Sequence, residues 1–193
     1  MNVGATSETD YGLYFQWGDT QGYTASQVGS GEGQKDFSWA NYKFKTSDDS
    51  LAPLIFFAKY NDEDGKYVLD IEDDAARANM GGQWRMPTTE ELQALGNAVN
   101  AVWTENYNGS GINGLLCTDK TDSSKKLFFP AAGYADTTNV GGIGNEGNVW
   151  SSSVNGNAID HAWYLYFGSG NTTWSDSYRR KIGFSVRGVL NVE

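Results

Sequence analysis

Trp163-Tyr164-Leu165-Tyr166-Phe167-Gly168, in the last fifth of the chain, alternates large apolar residues with tyrosines and a glycine. Successive side chains of a β-strand point to opposite faces. The pattern predicts a strand whose Trp163, Leu165 and Phe167 face a core while Tyr164 and Tyr166 face outward. Around it lie Ile159, Asp160, His161, Asn171, Thr173, Trp174, Asp176, Ser177 and Tyr178. Tyr and Trp give contact area at low entropic cost, and Ser, Gly and Asn adapt their hydrogen bonding. The stretch reads as a binding face rather than a catalytic centre.

Working outward, three segments of the tail have strand character, near 162–167, 172–178 and 183–190. Upstream, Thr88 with Glu91 three residues later makes a capping box, and Leu92 and Leu95 supply an inward stripe. This predicts a helix over about 89–98. Asp73 and Asp74 start a shorter helix through Ala75-Ala76-Arg77-Ala78, with carboxylates at its positive end and Gly81-Gly82 as a stop. Short strands are expected at Leu115-Leu116 and Leu127-Phe128-Phe129, and a strand-like aromatic cluster at Tyr11 to Trp17. The Gly-rich stretch up to Gly147 reads as loop. No linker composition divides the chain and no repeat of 20–50 residues is found. The expectation is one domain over 1–193, of α+β class, with small antiparallel sheets, two helices and long irregular loops.

Composition agrees with an ordered, loop-rich domain. The 193 residues include 7 Trp, 11 Tyr and 9 Phe, so aromatics can build the core. Gly is abundant at 24 and Pro rare at 3, which suits turn-rich β structure. The net charge of −10, with no Lys or Arg between Val154 and Tyr178, argues against nucleic acid as a partner. No apolar run is long enough for a membrane span. Asn2-Val3-Gly4-Ala5 reads as mid-protein sequence with no basic, apolar leader, so any native signal is expected in a longer parent.

No cofactor or metal is expected, and no enzyme activity. Cys117, the sole cysteine, lies among apolar residues and reads as a small buried hydrophobe. His161 is the sole histidine, which leaves no Ser/His triad and no zinc cluster. Asp62-Glu63-Asp64-Gly65 looks like part of an EF-hand loop. With Gly65 at the sixth position, however, Tyr60 and Ile71 fall where carboxylates are required. Asp70, Glu72, Asp73 and Asp74 could hold a structural cation, with helix capping the favoured role.

Several ordered landmarks carry a resemblance. They are Asn2-Val3-Gly4-Ala5, Tyr11-Gly12, Trp17-Gly18, Glu72-Asp73-Asp74-Ala75-Ala76, Gly81-Gly82 and Trp84-Arg85-Met86-Pro87-Thr88. Further on come Phe129-Pro130-Ala131-Ala132-Gly133, Trp150-Ser151-Ser152-Ser153 and Gly183-Phe184-Ser185-Val186-Arg187. Over nearly its whole length the chain resembles the C-type-lectin-like variable proteins of diversity-generating retroelements, found in Bacteroidales and their phages. These belong to the superfamily of the formylglycine-generating enzymes. The resemblance implies a C-type-lectin-like fold whose termini meet in a small sheet with two helices packed on it. It also implies a variable ligand-binding region over about 147–182.

Carried over by position, the implied variable residues are Asn148, Val149, Tyr164, Tyr166, Gly168, Asn171, Thr173, Asp176, Ser177, Tyr178, Arg179 and Ile182, with 158–161 (Ala158, Ile159, Asp160, His161). Mutating only the two adenines of an AAC codon can yield each residue found there but not Trp, Lys, Glu, Gln or Met. Trp163, Trp174 and Lys181 fall outside that set. The family's oxidases need a reactive cysteine pair, which this chain lacks.

The function implied is non-catalytic recognition of a protein or cell-surface ligand, a glycan among them, by a phage tail or a bacterial surface protein. Tyr164, Tyr166, Trp174 and Tyr178 would be its contact anchors. Leu165, Phe167, Phe184 and Val186 would hold the strands from behind. Two alternatives stand beside it: a glycan-binding adhesin of fixed specificity, and a structural domain of a secreted lipoprotein.

Overall fold

The computed structural model describes residues 1–46 and 56–190. Two α-helices and several small antiparallel sheets make up an α+β fold. In chain order the elements are β1 (Lys45–Thr46), β2 (Phe56–Phe57), α1 (Ala75–Met80), β3 (Trp84–Arg85), α2 (Thr89–Ala98) and β4 (Val99–Thr104). There follow β5 (Gly114–Asp119), β6 (Lys126–Pro130), β7 (Tyr134–Asp136), β8 (Asn139–Gly141) and β9 (Glu146–Val154). The last three are β10 (His161–Gly168), β11 (Thr172–Arg179) and β12 (Val189–Leu190). No helix among the described residues is long and apolar enough to cross a membrane.

Both helices fall where their local signals put them. Asp74 caps α1 by accepting from the Arg77 amide at 2.9 Å, and its second oxygen accepts from the Met86 amide at 2.8 Å. At α2 the box closes both ways: Thr88 Oγ1 accepts from Glu91 N, and Glu91 Oε2 accepts from Thr88 N at 2.8 Å. Arg85 grips the same carboxylate through two nitrogens at 2.7 and 2.6 Å, which fixes the strand before the helix to its first turn.

The sheet that matters for function has the order β11-β10-β9, all antiparallel. Between Tyr164 and Tyr166 the pairing with β11 slips from Asp176 to Thr173, so β11 carries one extra residue there. On the other side Ala162 pairs with Val154 and Tyr164 with Trp150, leaving Ser151, Ser152 and Ser153 opposite Trp163. Those buried serines are employed. Ser151 Oγ donates to Trp163 O, Ser152 Oγ donates to Pro87 O, and Ser153 Oγ accepts from Thr89 N. Ser152 and Ser153 tie β9 to the start of α2, and Ser151 ties it to β10.

The chain ends are held together. Asn2 bridges Arg187, Val3 N donates to Val186 O at 2.8 Å, and Phe15 bridges Phe184. Two fully buried indoles then cross-link the N-terminal segment to β9. Trp17 Nε1 donates to Ser151 O and Trp150 Nε1 donates to Phe15 O, each at 2.9 Å. Each indole nitrogen thus has its partner in an otherwise apolar setting.

Three expectations change. β4 was not foreseen, because Val99-Asn100-Ala101-Val102 follows the helix with no glycine or proline to mark the boundary. The β7–β8 hairpin lies in the stretch expected to be loop; its turn places Thr137 at φ +50°, a conformation glycine usually supplies. The segment 183–190 is not one strand. It changes partners residue by residue, from Phe15 through Val149 to Asn2, and pairs regularly only at β12 with β3.

Candidate functional site

The alternation places Leu165 and Phe167 in the core as expected. Trp163, expected there with them, is only half-buried and joins no core cluster among the described residues. The expected exposure of the tyrosines fails as well. Both faces of the β11-β10-β9 sheet are covered. On the odd face Leu165 and Phe167 pack with Leu92 of α2, Phe129 and Val149. On the even face the returning segment lays Phe184 against Trp150 and Tyr164, with ring centroids 4.3 and 4.7 Å away. Tyr164, expected to face solvent, is therefore only 6 % exposed and belongs to the main core. Tyr166, one step further along, is half-buried.

Where that cover ends, the even face opens into a pocket of about 260 Å³. Tyr134 and Asp136 enter it from β7, Glu146 and Asn148 from β9, Tyr164 and Tyr166 from β10, and Tyr178 from β11. Ile182 and Phe184 close its base. Two glycines make room for the wall. A Cβ on Gly141 would lie 3.0 Å from the Tyr134 ring, and one on Gly142, at φ +73°, 2.7 Å from Glu146 Cγ.

The polar groups here are arranged in pairs. Tyr164 donates to Asp176 Oδ2 at 3.3 Å, and Asp176 Oδ1 accepts from Ser177 N at 2.8 Å. Burial, with Asp176 beside it, pushes the Tyr164 phenol above its ordinary pKa. Burial and the neighbouring Glu146 carboxylate do the same to Tyr166. The Lys181 ammonium pairs with Asp136. Among the described residues no Lys or Arg pairs with Glu146 or Asp176. The pocket is aromatic, and its local charge is negative.

Of the residues singled out from the sequence, Asn148, Tyr164, Tyr166, Tyr178 and Ile182 meet at this pocket. Asn148 is buried and donates from Nδ2 to Gly133 O at 3.2 Å; Ile182 is buried in the core. Asp176 stands behind Tyr164, and Thr173 pairs with Tyr166. Beside Tyr178, whose ring is 6.3 Å from that of His161, lies the His161–Asp160 pair at 3.0 Å. Ile159 is half-buried against the core. Arg179 is exposed at the end of β11.

Others do not reach the pocket. Val149 sits opposite Leu165 and is buried on the α2 side, so it is a core residue rather than a contact residue. Trp174, expected as an anchor, is carried to the α2 side by the extra residue in β11. Its indole covers Gly96, where a Cβ would come within 2.6 Å. Ser177 pairs with Trp163, and its Oγ accepts from Asn155 Nδ2 at 3.1 Å, away from the tyrosines. Gly168, also buried, and Asn171 close the β10–β11 turn, with Gly168 N donating to Asn171 O at 2.9 Å.

Tyr134, Asp136 and Glu146 line the pocket but were not foreseen. They lie in the glycine-rich stretch before β9, and nothing local distinguishes them from solvated loop residues. Only the β7–β8 hairpin and the pairing of Gly133 with Gly147 bring them here.

The acidic group at 70–74 divides in two. Asp74 is the helix cap already described. Asp70, Glu72 and Asp73 surround the Lys59 ammonium at 2.8, 3.1 and 2.6 Å, and Lys43 reaches Asp73 at 2.5 Å. The cation these carboxylates face is a side chain. Burial opposes the Asp73 charge, but hydrogen bonds from Lys43, Lys59 and Tyr60 outweigh it and hold its pKa below the ordinary value. Cys117 is buried at β5, and burial pushes its thiol up to about 12.

Comparison of the chain with protein-family models, curated proteins and solved structures finds no match.

Proposed function

We propose that this chain is a non-catalytic recognition domain whose ligand contacts the tyrosine-lined pocket and the exposed parts of β10 and β11 around it. The observation that carries the reading is the convergence of Tyr134, Tyr164, Tyr166 and Tyr178 from three strands on one opening. A concave aromatic site with a few placed polar groups is the usual form of a binding pocket. The sheet behind it is braced by α2, so rim residues can change with little effect on the fold. Membership among diversified C-type-lectin-like receptor binders belongs to the same proposal, narrowed by burial. Asp160, His161, Tyr166, Thr173, Asp176, Tyr178 and Arg179 remain as the positions where substitution would alter contacts; Asn171, in the turn beyond the pocket, and Val149, in the core, do not.

The test is binding of the labelled protein to a panel of intact gut bacterial cells, with the Tyr166→Ala/Tyr178→Ala double variant beside the parent. The reading expects saturable binding by the parent, and loss of binding by a variant that unfolds at nearly the parent's temperature. Protease treatment of the cells should abolish binding if the ligand is protein, and periodate should do so if it is a fixed glycan. Binding that the double variant retains in full would refute this location of the site.

A further inference from the structure

We propose that the pocket receives the ammonium group of a lysine side chain presented by a partner protein. The inference rests on the recognition reading above and names the chemistry that this site would select.

Tyrosine faces attract cations, most strongly where water is excluded. The rings of Tyr134, Tyr164, Tyr166 and Tyr178 line the opening, and Glu146 stands among them with no cationic partner among the described residues. The one ammonium nearby, Lys181, is committed to Asp136, so it does not neutralise Glu146. Asp176 lies behind Tyr164 without a cation of its own and adds to the same field. A negative, partly desolvated cleft of this kind concentrates positive ligands.

The alternatives fit less well. An anion would meet Glu146 and Asp136 and find no unpaired lysine or arginine among the residues lining the pocket. A neutral sugar would leave the Glu146 charge without a counter-ion, which an ammonium supplies. At about 260 Å³ the space is below the roughly 300–1,000 Å³ of sites that engulf a drug-sized molecule, and suits one side chain. The carboxylate oxygens of Glu146 call for N–H donors, which a primary ammonium has and a quaternary one lacks. The aliphatic stem of lysine can lie along the tyrosine walls.

The experiment is titration of the intact protein with Nα-acetyl-lysine methylamide, followed by the chemical shifts of the pocket residues. The Nε-acetylated form of the same compound (equal stem, no charge) and choline are run in parallel. Lysine is expected to bind about tenfold or more tighter than the acetylated compound, and tighter than choline. Glu146→Gln is expected to weaken lysine binding about fivefold while leaving the thermal midpoint unchanged. Equal affinity for the charged and neutral forms, stronger binding of choline, or indifference to Glu146→Gln would each overturn the assignment.

Failure here can be told from failure of the broader reading. If the lysine probe does not bind but Tyr166→Ala/Tyr178→Ala still abolishes cell binding, the ligand class is wrong and the binding site stands.

Discussion

Replacing Tyr164 by Ala separates the floor of the pocket from its rim. With the side chain 6 % exposed and its ring against Trp150 and Phe184, truncation removes a core aromatic. Such replacements cost about 3–5 kcal/mol. Part of the vacated volume opens into the pocket and can fill with water, which places Tyr164→Ala at the low end, about 3 kcal/mol. In a chain of 193 residues each kcal/mol moves the midpoint by about 2–4 °C, so a fall of roughly 6–12 °C is expected. Tyr164→Phe keeps the packing and loses one long bond to Asp176, so about 1 kcal/mol or less is expected. Tyr178→Ala, at a residue 47 % exposed, should cost under about 1 kcal/mol. Thermal and urea unfolding followed by tryptophan fluorescence would rank the three. If Tyr164→Ala unfolds within about 2 °C of the parent, or Tyr178→Ala costs as much, the assignment of floor and rim is refuted.

Gly96→Ala pits helix propensity against packing. Alanine gains about 1 kcal/mol in a helix interior, but its Cβ would meet the Trp174 indole at 2.6 Å, and overpacking of that kind costs about 1–3 kcal/mol. A net loss of about 1 kcal/mol is expected in urea unfolding, reversing to a gain when Gly96→Ala is compared within a Trp174→Ala background. Asp73→Asn should cost about 2 kcal/mol near neutral pH: Lys59 keeps Asp70 and Glu72, and what is lost are the charged hydrogen bonds of Lys43 and Lys59 to the buried carboxylate. The folded pKa of Asp73 is depressed, so its stabilisation is complete above the unfolded value of about 3.9 and is lost as pH falls through the lower folded value. Acid titration of the midpoint should accordingly be shallower in Asp73→Asn than in the parent. Cys117, with its thiol raised to about 12, should resist alkylation by iodoacetamide at about pH 8 in native protein and react once urea unfolds it, as mass spectrometry would report.

What could be read from the sequence was local. The capping box at Thr88 and Glu91 and the Asp74 cap act within one turn, and both helices lie where those signals end. The alternation across 163–167 correctly separates two faces, because strand geometry alone fixes it. What lies over each face is decided by residues far away. Phe184, twenty positions beyond Tyr164, makes that tyrosine a core residue. Trp174 changes sides through a slip that leaves no mark in the residue types. Tyr134 and Glu146 reach the pocket through pairings of short, glycine-rich pieces whose signals resemble those of loops.

The extra residue in β11 has a consequence for how this surface can vary. Side chains on a strand follow an odd–even parity, and the slip between Asp176 and Thr173 reverses that parity midway, so that both can stand with Tyr164 and Tyr166. Exchanging one amino acid for another on either side preserves the arrangement. Losing Ser175 would leave Thr173, Trp174 and Asp176 opposite Tyr166, Leu165 and Tyr164, a regular ladder with the indole and the carboxylate on their present sides. The slip is therefore the one point where this strand can shorten by a residue while every side chain around the pocket keeps its place.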